Sequence, residues 1–178
     1  MAEDYSWTHV APAEGEQIGS MLVKIRANQL GGDFSMMQAV VAPHQLLVPH
    51  THTHEDQAVF VIDGELEFEV GGEGGTRFTA GAGSYIIKPR GISHGFWNKT
   101  DKTTVYIELS GREGFEGFVD STAENTLVAA AKAEKDYGVT FHYDRVPKLM
   151  KDNRLTSVAG MDMPWEGAKP PSWARKNG

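Results

Sequence analysis

The first two thirds of the chain consist of short apolar segments separated by glycine and proline, and this punctuation limits the fold more than any other sequence feature. The chain of 178 residues contains 20 glycines and 8 prolines. The segments between them are rich in β-branched and aromatic residues, which is typical of strands. A series of short strands at close spacing favours a sandwich or a barrel. The seven predicted strands cover residues 21–26, 34–41, 57–62, 65–70, 85–88, 93–98 and 103–109.

The segment 59–70 carries the clearest signal for a β-hairpin. Asp63 and Gly64 at its centre are residue types that adopt the positive φ angles of a tight turn. After the turn, apolar residues alternate with glutamates, so one face of the second strand is predicted to be buried and the other solvated. The apolar positions are Leu66, Phe68 and Val70, and the glutamates are Glu65, Glu67 and Glu69.

Beyond residue 112 the pattern changes from strands to helices. Ser121 or Thr122 is a candidate N-cap for a helix that runs to about Tyr137 and stops at Gly138. A shorter helical piece is expected at residues 115–119.

The remaining C-terminal residues are predicted to include one more short helix, after Pro147. Trp165 and Trp173 indicate that the tail packs on another part of the protein. No internal repeat is found, so a tandem pair of barrels is excluded. We therefore predict one domain with appended segments. These are an N-terminal arm at 1–19, a β-barrel at 20–112, and a helical extension with a tail at 113–178.

The composition excludes several partners and ligands. The formal net charge is -7, and no lysine and arginine cluster could neutralise a run of phosphates, so nucleic acid is not an expected partner. No apolar run reaches the length of a membrane span, and residues 1–10 do not resemble a secretory signal, so a cytoplasmic location is expected. The chain has no cysteine, so any metal must be held by nitrogen and oxygen ligands.

Three closely spaced histidines form the densest chemical signal in the chain. In an extended strand alternate side chains share a face, so His50 and His52 are expected to project the same way, about 6–7 Å apart. Two imidazoles placed like this can bind one ion. His54 continues the alternation and is either a further ligand or, as we favour, a residue at the rim.

A fourth histidine is placed by a turn. His94 follows the sequence Pro89-Arg90-Gly91, which is typical of a turn that changes the chain direction. Such a turn at a barrel mouth would bring His94 into the interior, where a third nitrogen ligand is needed.

Together the two histidine segments resemble the paired motifs of the cupins. The order and spacing of the motif residues match in both segments. The first motif is His50-x-His52, four residues, Gln57, six residues and Gly64; the second is Gly83, five residues, Pro89-x-Gly91, two residues, His94, three residues and Asn98.

The resemblance implies an all-β fold, a single-domain cupin double-stranded β-helix, also called a jelly-roll barrel, with a C-terminal helical extension. Residues 31–35, the Pro-His-x-His opening and the helical tail look like single-domain quercetin 2,3-dioxygenase-like cupins. In that family two histidines, a glutamate and a third histidine bind one divalent transition metal ion. Here these positions are His50, His52, Gln57 and His94, and imidazole ligands admit Fe, Mn, Ni, Cu, Co or Zn. The resemblance also implies a homodimer.

Gln57 departs from the family pattern, where a glutamate is expected. In quercetin dioxygenases that glutamate accepts the hydroxyl proton of the substrate, and an amide cannot act as that base. Cupin hydroxynitrile lyases resemble this site in using three histidines and a glutamine around manganese. Alternatively, Gln57 is a buried amide that is hydrogen-bonded within the barrel and does not touch the ion.

The substrate pocket is predicted to have an apolar wall. Alternation from Gln57 turns Val59 inward, and alternation from His94 turns Phe96 inward. The direction of Tyr106 and Glu108 is left open, and no catalytic residue is assigned. The residues outside the site are expected to be structural or exposed, namely His9, His44, His142 and the loop-holding Asn98.

Three functions are consistent with these residues. The first is a quercetinase-like dioxygenase that binds dioxygen and a small aromatic or enolisable substrate at the metal. The second is a redox-neutral Lewis-acid enzyme, a lyase or an isomerase, which the neutral ligand set favours. The third is a cupin that binds a small molecule without catalysis.

Overall fold

The computed structural model describes residues 6–112, 114–124 and 126–160, and its strands form two facing six-stranded sheets. The first sheet has the order β1-β2-β3-β10-β5-β8; in the second, β11-β4-β9-β6-β7 are neighbours and β12 pairs with β4. The strands are β1 (Glu16–Ile18), β2 (Met21–Ile25), β3 (Phe34–Val41), β4 (Gln45–His52), β5 (Gln57–Asp63), β6 (Glu65–Val70), β7 (Thr76–Gly81), β8 (Tyr85–Lys88), β9 (His94–Trp97), β10 (Thr104–Gly111), β11 (Val139–Phe141) and β12 (Ser157–Val158).

All seven predicted strands are confirmed, as β2, β3, β5, β6, β8, β9 and β10. The segment with the histidine pair was expected to be extended and is β4. The structure adds β1 and β7, and it adds β11 and β12 on the C-terminal side of the barrel. Those last two strands are only three and two residues long and form by pairing with β4, so the chain itself carries little signal for them.

The predicted hairpin between β5 and β6 is wrong. The two strands follow each other directly, but β5 pairs with β8 and β10, whereas β6 pairs with β7 and β9. Gly64 has a φ of 86°, as the turn residues predicted, and the chain passes there from one sheet to the other. Thr104 on β10 secures this corner, because its hydroxyl accepts from the Glu65 amide and donates to the Glu65 carbonyl.

The glutamate face of β6 is not wholly solvated. Glu69 is 2% exposed, since Arg77 and Arg145 cover its carboxylate with hydrogen bonds. Burial opposes ionisation, but the bonds from Arg145 and Arg77 outweigh it and lower the pKa of Glu69. Arg145, which comes from the C-terminal region, thus takes the place of water around the Glu69 carboxylate.

The helices after the barrel begin and end at residues that differ in part from the prediction. The predicted short helix at 115–119 is confirmed within α1 (Gly114–Glu124). The predicted long helix is confirmed as α2 (Thr126–Tyr137), but it starts later than Ser121 or Thr122, which belong to α1. Ser121 and Thr122 do not cap a helix; their hydroxyls donate to carbonyls three residues earlier within α1. The short helix after Pro147 is confirmed as α3 (Val146–Asn153), with the proline in its first turn.

Three apolar clusters hold these elements together. The first fills the barrel and comprises Ala39, Val41, Val59, Val61, Leu66, Phe68, Ala80, Ile86, Phe96 and Tyr106. The second packs α3 on the outer side of β4 and β9 and comprises Leu46, Val48, Trp97, Val146, Leu149, Met150, Leu155 and Val158. The third joins α1 to β1, β2 and β3 through Ile18, Val23, Met37, Phe115 and Val119.

The C-terminal tail and the question of a membrane-spanning helix remain to be compared with the structure. Trp165 and Trp173 lie outside the described residues, so the packing of the tail stays a prediction. Within the described part of the chain, no helix has both the length and the apolar character needed to cross a membrane.

Candidate metal centre

An irregular step in the pairing of β4 with β9 turns the first histidine into the barrel. Leu47 pairs with Phe96 and His50 pairs with His94, so three steps along β4 match two steps along β9. One extra residue in β4 forms a β-bulge, which rotates the residues after it to the other face. Because Phe96 and His94 share a face, their partners Leu47 and His50 do so as well. His52 then follows His50 by normal alternation.

Gly95 allows β4 and β9 to approach closely at this point. A Cβ atom at Gly95 would lie 3.0 Å from Pro49 Cγ and 3.1 Å from Pro49 Cα. Pro49 lies in the bulged segment, where its lack of an N–H leaves no ladder hydrogen bond unmade. Both residues thus belong to the local geometry that places His50 opposite His94.

The three predicted histidines come together in the barrel interior. One ring nitrogen from each of His50, His52 and His94 lies within 4.8 Å of the others, and all three residues are buried. The ring centroids of His50 lie 4.9 Å from His52 and 4.5 Å from His94. Among the described residues this is a group of the size and type that could hold one metal ion.

Hydrogen bonds hold each imidazole by its Nδ1 atom. His50 Nδ1 donates to the Val48 carbonyl at 2.8 Å, and His94 Nδ1 donates to the Ile92 carbonyl at 3.1 Å. His52 Nδ1 donates to Glu55 Oε1 at 2.8 Å. These bonds leave Nε2 as the lone-pair nitrogen of each ring. Nε2 of His52 and Nε2 of His94 are buried without a hydrogen-bond partner, as expected for atoms that bind a ligand.

The histidines are neutral and ready to bind a cation at neutral pH. Burial, with a further contribution from Lys88, lowers the pKa of His52 to about 3. Burial also lowers the pKa of His50 and of His94, and in each case a neighbouring histidine and Lys88 add to the effect. Because Nε2 of each ring carries no proton at neutral pH, a metal ion does not have to displace a proton to bind there.

Gln57 faces the same interior from β5. Its side chain is buried, and Nε2 donates to Ser110 Oγ at 3.2 Å. Gln57 Oε1 has no hydrogen-bond partner. The amide is therefore hydrogen-bonded within the barrel and still has a free oxygen, so both expectations for Gln57 remain compatible with its position. Its role as a fourth ligand stays a prediction.

Glu55 is a site residue that sequence analysis did not identify. It is 1% exposed, and its two carboxylate oxygens accept from His52 Nδ1 and from the Phe115 amide at the start of α1. Burial raises the pKa of Glu55, and the bond from Phe115 opposes that rise. The signal was present in the chain, since a carboxylate three residues after a ligand histidine can reach its second ring nitrogen.

The C-terminal extension places two aromatic rings beside the histidines. The Phe115 ring of α1 lies 5.3 Å from the His52 ring, edge to face, and the Phe141 ring of β11 lies 5.6 Å from the His50 ring. β11 pairs with β4 along the histidine segment, with Phe141 opposite His50. The extension is thus part of the surroundings of the site.

The predicted pocket residues lie in the barrel interior. Val59 and Phe96 are fully buried and belong to the apolar cluster that fills the barrel. Their role as a substrate-contacting wall stays a prediction. The structure also settles the direction of β10, because Tyr106 and Glu108 are both buried and face inward.

A buried ion pair lies in the same interior. Lys88 Nζ is 2.6 Å from Glu108 Oε1, and each side chain is at most 3% exposed. Burial lowers the pKa of Lys88 and raises that of Glu108, while the attraction between the two opposes both shifts. Neither residue was assigned to the site from the sequence.

The remaining histidines lie outside the cluster. His9 and His54 are exposed, His44 donates to Asp101 at the surface, and His142 hydrogen-bonds Thr51 on β4. Asn98 has the structural role predicted for it: it is fully buried, donates to the Val41 and Lys102 carbonyls, and accepts from Thr100.

The barrel matches a known family model. Residues 37–110 match the model described as the cupin domain, which spans most of β3 through β10 and includes all three clustered histidines. Together with the two-sheet topology, this match identifies the fold as the cupin double-stranded β-helix, as predicted. The narrower resemblance to quercetin dioxygenases stays a prediction. No curated protein matches the sequence.

Several solved structures are similar in fold. An uncharacterized conserved protein with a double-stranded β-helix domain from Klebsiella pneumoniae is 24% identical, with a TM-score of 0.46 over 63% of this chain and 91% of that chain. KdgF from Halomonas sp. is 16% identical, with a TM-score of 0.47 over 60% and 89% of the two chains. Oxalate decarboxylase from Lactobacillus farciminis, solved as a formate complex, is 17% identical, with a TM-score of 0.47 over 58% and 31%.

Proposed function

We propose that this cupin-domain protein is a metal-dependent oxygenase that acts on a small aromatic or enolisable substrate, with dioxygen as co-substrate. His50, His52 and His94 would hold one divalent transition metal ion, with Gln57 as a fourth ligand. The observation that carries the proposal is the cluster of three buried imidazoles whose Nδ1 atoms are all engaged elsewhere. Such rings present the lone pair of Nε2, which a metal ion can bind.

The donor set fits a transition metal ion. Imidazole nitrogens suit iron, manganese, nickel, copper, cobalt and zinc, and the unpartnered Gln57 oxygen offers one more neutral ligand. A bound ion would supply a Lewis acid that polarises a substrate oxygen and, if redox-active, a site for dioxygen chemistry.

The residues of the chain would hold the ligand rings in place and exclude water from the substrate. Glu55 holds the His52 ring in one tautomer, and the Ile92 carbonyl does the same for His94. The apolar side chains of Val59 and Phe96 would exclude water from the substrate's ring or hydrocarbon part. Gln57 cannot accept a proton, so a base must come from another group.

A second candidate is a redox-neutral lyase or isomerase. The specific observation in its favour is the amide of Gln57, because a neutral ligand set leaves the full double charge of the ion to polarise a carbonyl or hydroxyl oxygen. Consumption of dioxygen with substrate distinguishes the two candidates.

The first test is the metal content of protein purified without chelator, beside the variant His94→Ala. We expect near-stoichiometric metal in the wild type and little or none in the variant, because one of three nitrogen ligands is removed. His44→Ala is the matched control, since His44 binds Asp101 at the surface, and its metal content is expected to be unchanged.

Oxygen uptake on a panel of flavonols and other enolisable compounds then tests the reaction. Uptake that requires both metal and substrate supports the oxygenase. Turnover without uptake moves the assignment to the lyase or isomerase. Wild-type protein that takes up no metal after reconstitution would contradict both candidates and leave a binding protein.

A further inference from the structure

We propose that Lys88 is a substrate-binding residue whose ammonium group, held by Glu108 inside the barrel, binds an anionic oxygen of the substrate. The inference rests on the proposed function and narrows its substrate class to small molecules with a carboxylate, enolate or phenolate oxygen.

The strand register places Lys88 and Glu108 around the predicted ligand Gln57. β5 lies between β8 and β10 in the first sheet. Gln57 is paired with Lys88 on one side and Ser110 on the other, and Val59, two residues on, is paired with Ile86 and Glu108. Paired residues share a face, so Gln57, Val59, Lys88 and Glu108 all line the same interior wall.

The ammonium group of Lys88 has unused hydrogen-bonding capacity. It carries three donors, and within the described residues the polar group paired with it is the Glu108 carboxylate. The Phe96 ring also lies near it, with its centroid 5.7 Å from Nζ. A buried charge usually has all its donors engaged, so the remaining donors point to an acceptor that binds in this space.

A buried ion pair also contributes little to the stability of a fold. Removing two charges from water is costly, and a well-packed apolar pair is often as stable or more stable. A lysine and a glutamate next to a candidate metal site are better explained by a polar ligand than by the fold.

The charges of the interior favour an anion. Lys88 and Glu108 offset each other, so among the described residues that contact the histidines, Glu55 behind His52 is the one that reduces the double positive charge of a bound ion. Lys88 pairs with Gln57 and faces the same interior, where its ammonium group would attract an anionic oxygen.

The test measures binding of small probes to zinc-loaded protein by titration calorimetry, so that no turnover is needed. The anionic probes are acetate, for a carboxylate, and 4-nitrophenolate, for an enolate or phenolate; acetamide is the neutral probe that matches acetate in shape. Lys88→Met removes the charge, and Lys88→Arg keeps it. Lys148→Met is the control, because Lys148 is an exposed lysine paired with Asp152 on α3.

We expect at least one anionic probe to bind at least tenfold more weakly to Lys88→Met than to the wild type, and about equally to Lys148→Met. Acetamide binding should change less than twofold in either variant. The probe with the larger dependence on Lys88 identifies the class of anionic oxygen. If Lys88→Met does not fold, Lys88→Arg should keep anion binding, and acetate should shift the NMR signals of the Lys88 side chain in wild-type protein while acetamide does not.

Two results would overturn the inference. The first is equal affinity of both anions for wild type and Lys88→Met at equal zinc content. The second is an equal loss of acetate and acetamide, which would indicate a packing role. Wild-type protein that binds no zinc would instead overturn the proposed function, and the role of Lys88 with it, and the zinc content distinguishes this case from the other two.

Discussion

At the scale of single residues, the candidate site depends on what holds the second nitrogen of each imidazole. Alternation in the sequence predicted that His50 and His52 share a face, but it could not show that Nδ1 of each ring has an acceptor of its own. Those acceptors select the tautomer, and the tautomer decides which nitrogen is offered to an ion. The acceptors are two carbonyls and Glu55, which only the folded chain brings into place.

The buried histidines predict a specific pH dependence of stability in the metal-free protein. Burial lowers the pKa of His52 from 6.5 in a free chain to about 3. Between these values the unfolded state binds a proton that the folded state does not, so the free energy of unfolding falls as pH falls from about 6.5 towards 3 and is constant above that window. The expected slope for one histidine is about 1.4 kcal/mol per pH unit.

Urea unfolding of the metal-free wild type and of His52→Asn between pH 7 and pH 5 would measure this dependence. The wild type should lose more stability per pH unit than the variant, by about the slope of one histidine. Parallel profiles for the two proteins would show that His52 is protonated as easily in the folded state as in the unfolded one.

At the scale of elements, Gly114 at the start of helix α1 lies against Glu55, which holds one of the candidate metal ligands. A Cβ atom at Gly114 would lie 2.4 Å from Glu55 Oε2, so any larger residue must displace the carboxylate that orients His52. Glu55 thus links the first residue of the helix to His52, a predicted metal ligand.

Gly114→Ala is therefore expected to weaken metal binding roughly 10–100-fold, the usual effect of disturbing a residue that orients a ligand. The helix itself should not suffer, since alanine favours helix more than glycine does. Competition with a chromogenic chelator would measure the affinity. Gly117→Ala is the matched control in the same helix, where the nearest atom is Tyr137 Cε1 at 3.2 Å. Equal affinity of Gly114→Ala and wild type would show that Glu55 does not support the site.

Strand β10 shows why the inward-facing residues of some strands could not be predicted from the alternation of apolar and polar residues. Its apolar series, Val105, Ile107 and Leu109, is only half-buried, while Tyr106 and Glu108 face the interior. Alternation identifies two faces but not which one is the core, and both faces of β10 carry apolar residues. In β8, Ile86 and Ile87 are both apolar, so the inward position of Lys88 was equally undetermined.

At the scale of the whole molecule, the outward-facing apolar residues of β10 are aligned with apolar residues on the neighbouring strands of the first sheet. Register aligns Ile107 with Phe60 and Tyr85, and Leu109 with Ala58 and Ile87. Tyr85 is 78% and Ile87 76% exposed, and β8 is the last strand of its sheet. An apolar outer face that ends in a free strand edge is a surface that proteins usually cover.

We predict that a second copy of the chain covers this face, so that the protein is a homodimer. Ile87→Lys should give a monomer at concentrations where the wild type is dimeric, because a charge would then be placed inside the apolar contact. Light scattering coupled to size exclusion would measure the masses. Thr79→Lys, at an exposed position on β7 in the other sheet, should leave the dimer intact. A monomeric wild type, or a dimer unaffected by Ile87→Lys, would contradict the assignment.

The sequence by itself determined the seven strands, the barrel class and the three histidines. Each of these follows from short-range patterns: alternation along a strand, turn residues between strands, and ligand types at fixed spacing. Tertiary structure alone decided that β5 and β6 join different sheets, that the bulge in β4 turns His50 inward, and that Lys88 and Glu108 belong to the interior. These outcomes depend on which distant strand lies alongside, and the energy of such pairing comes from contacts that no local segment contains.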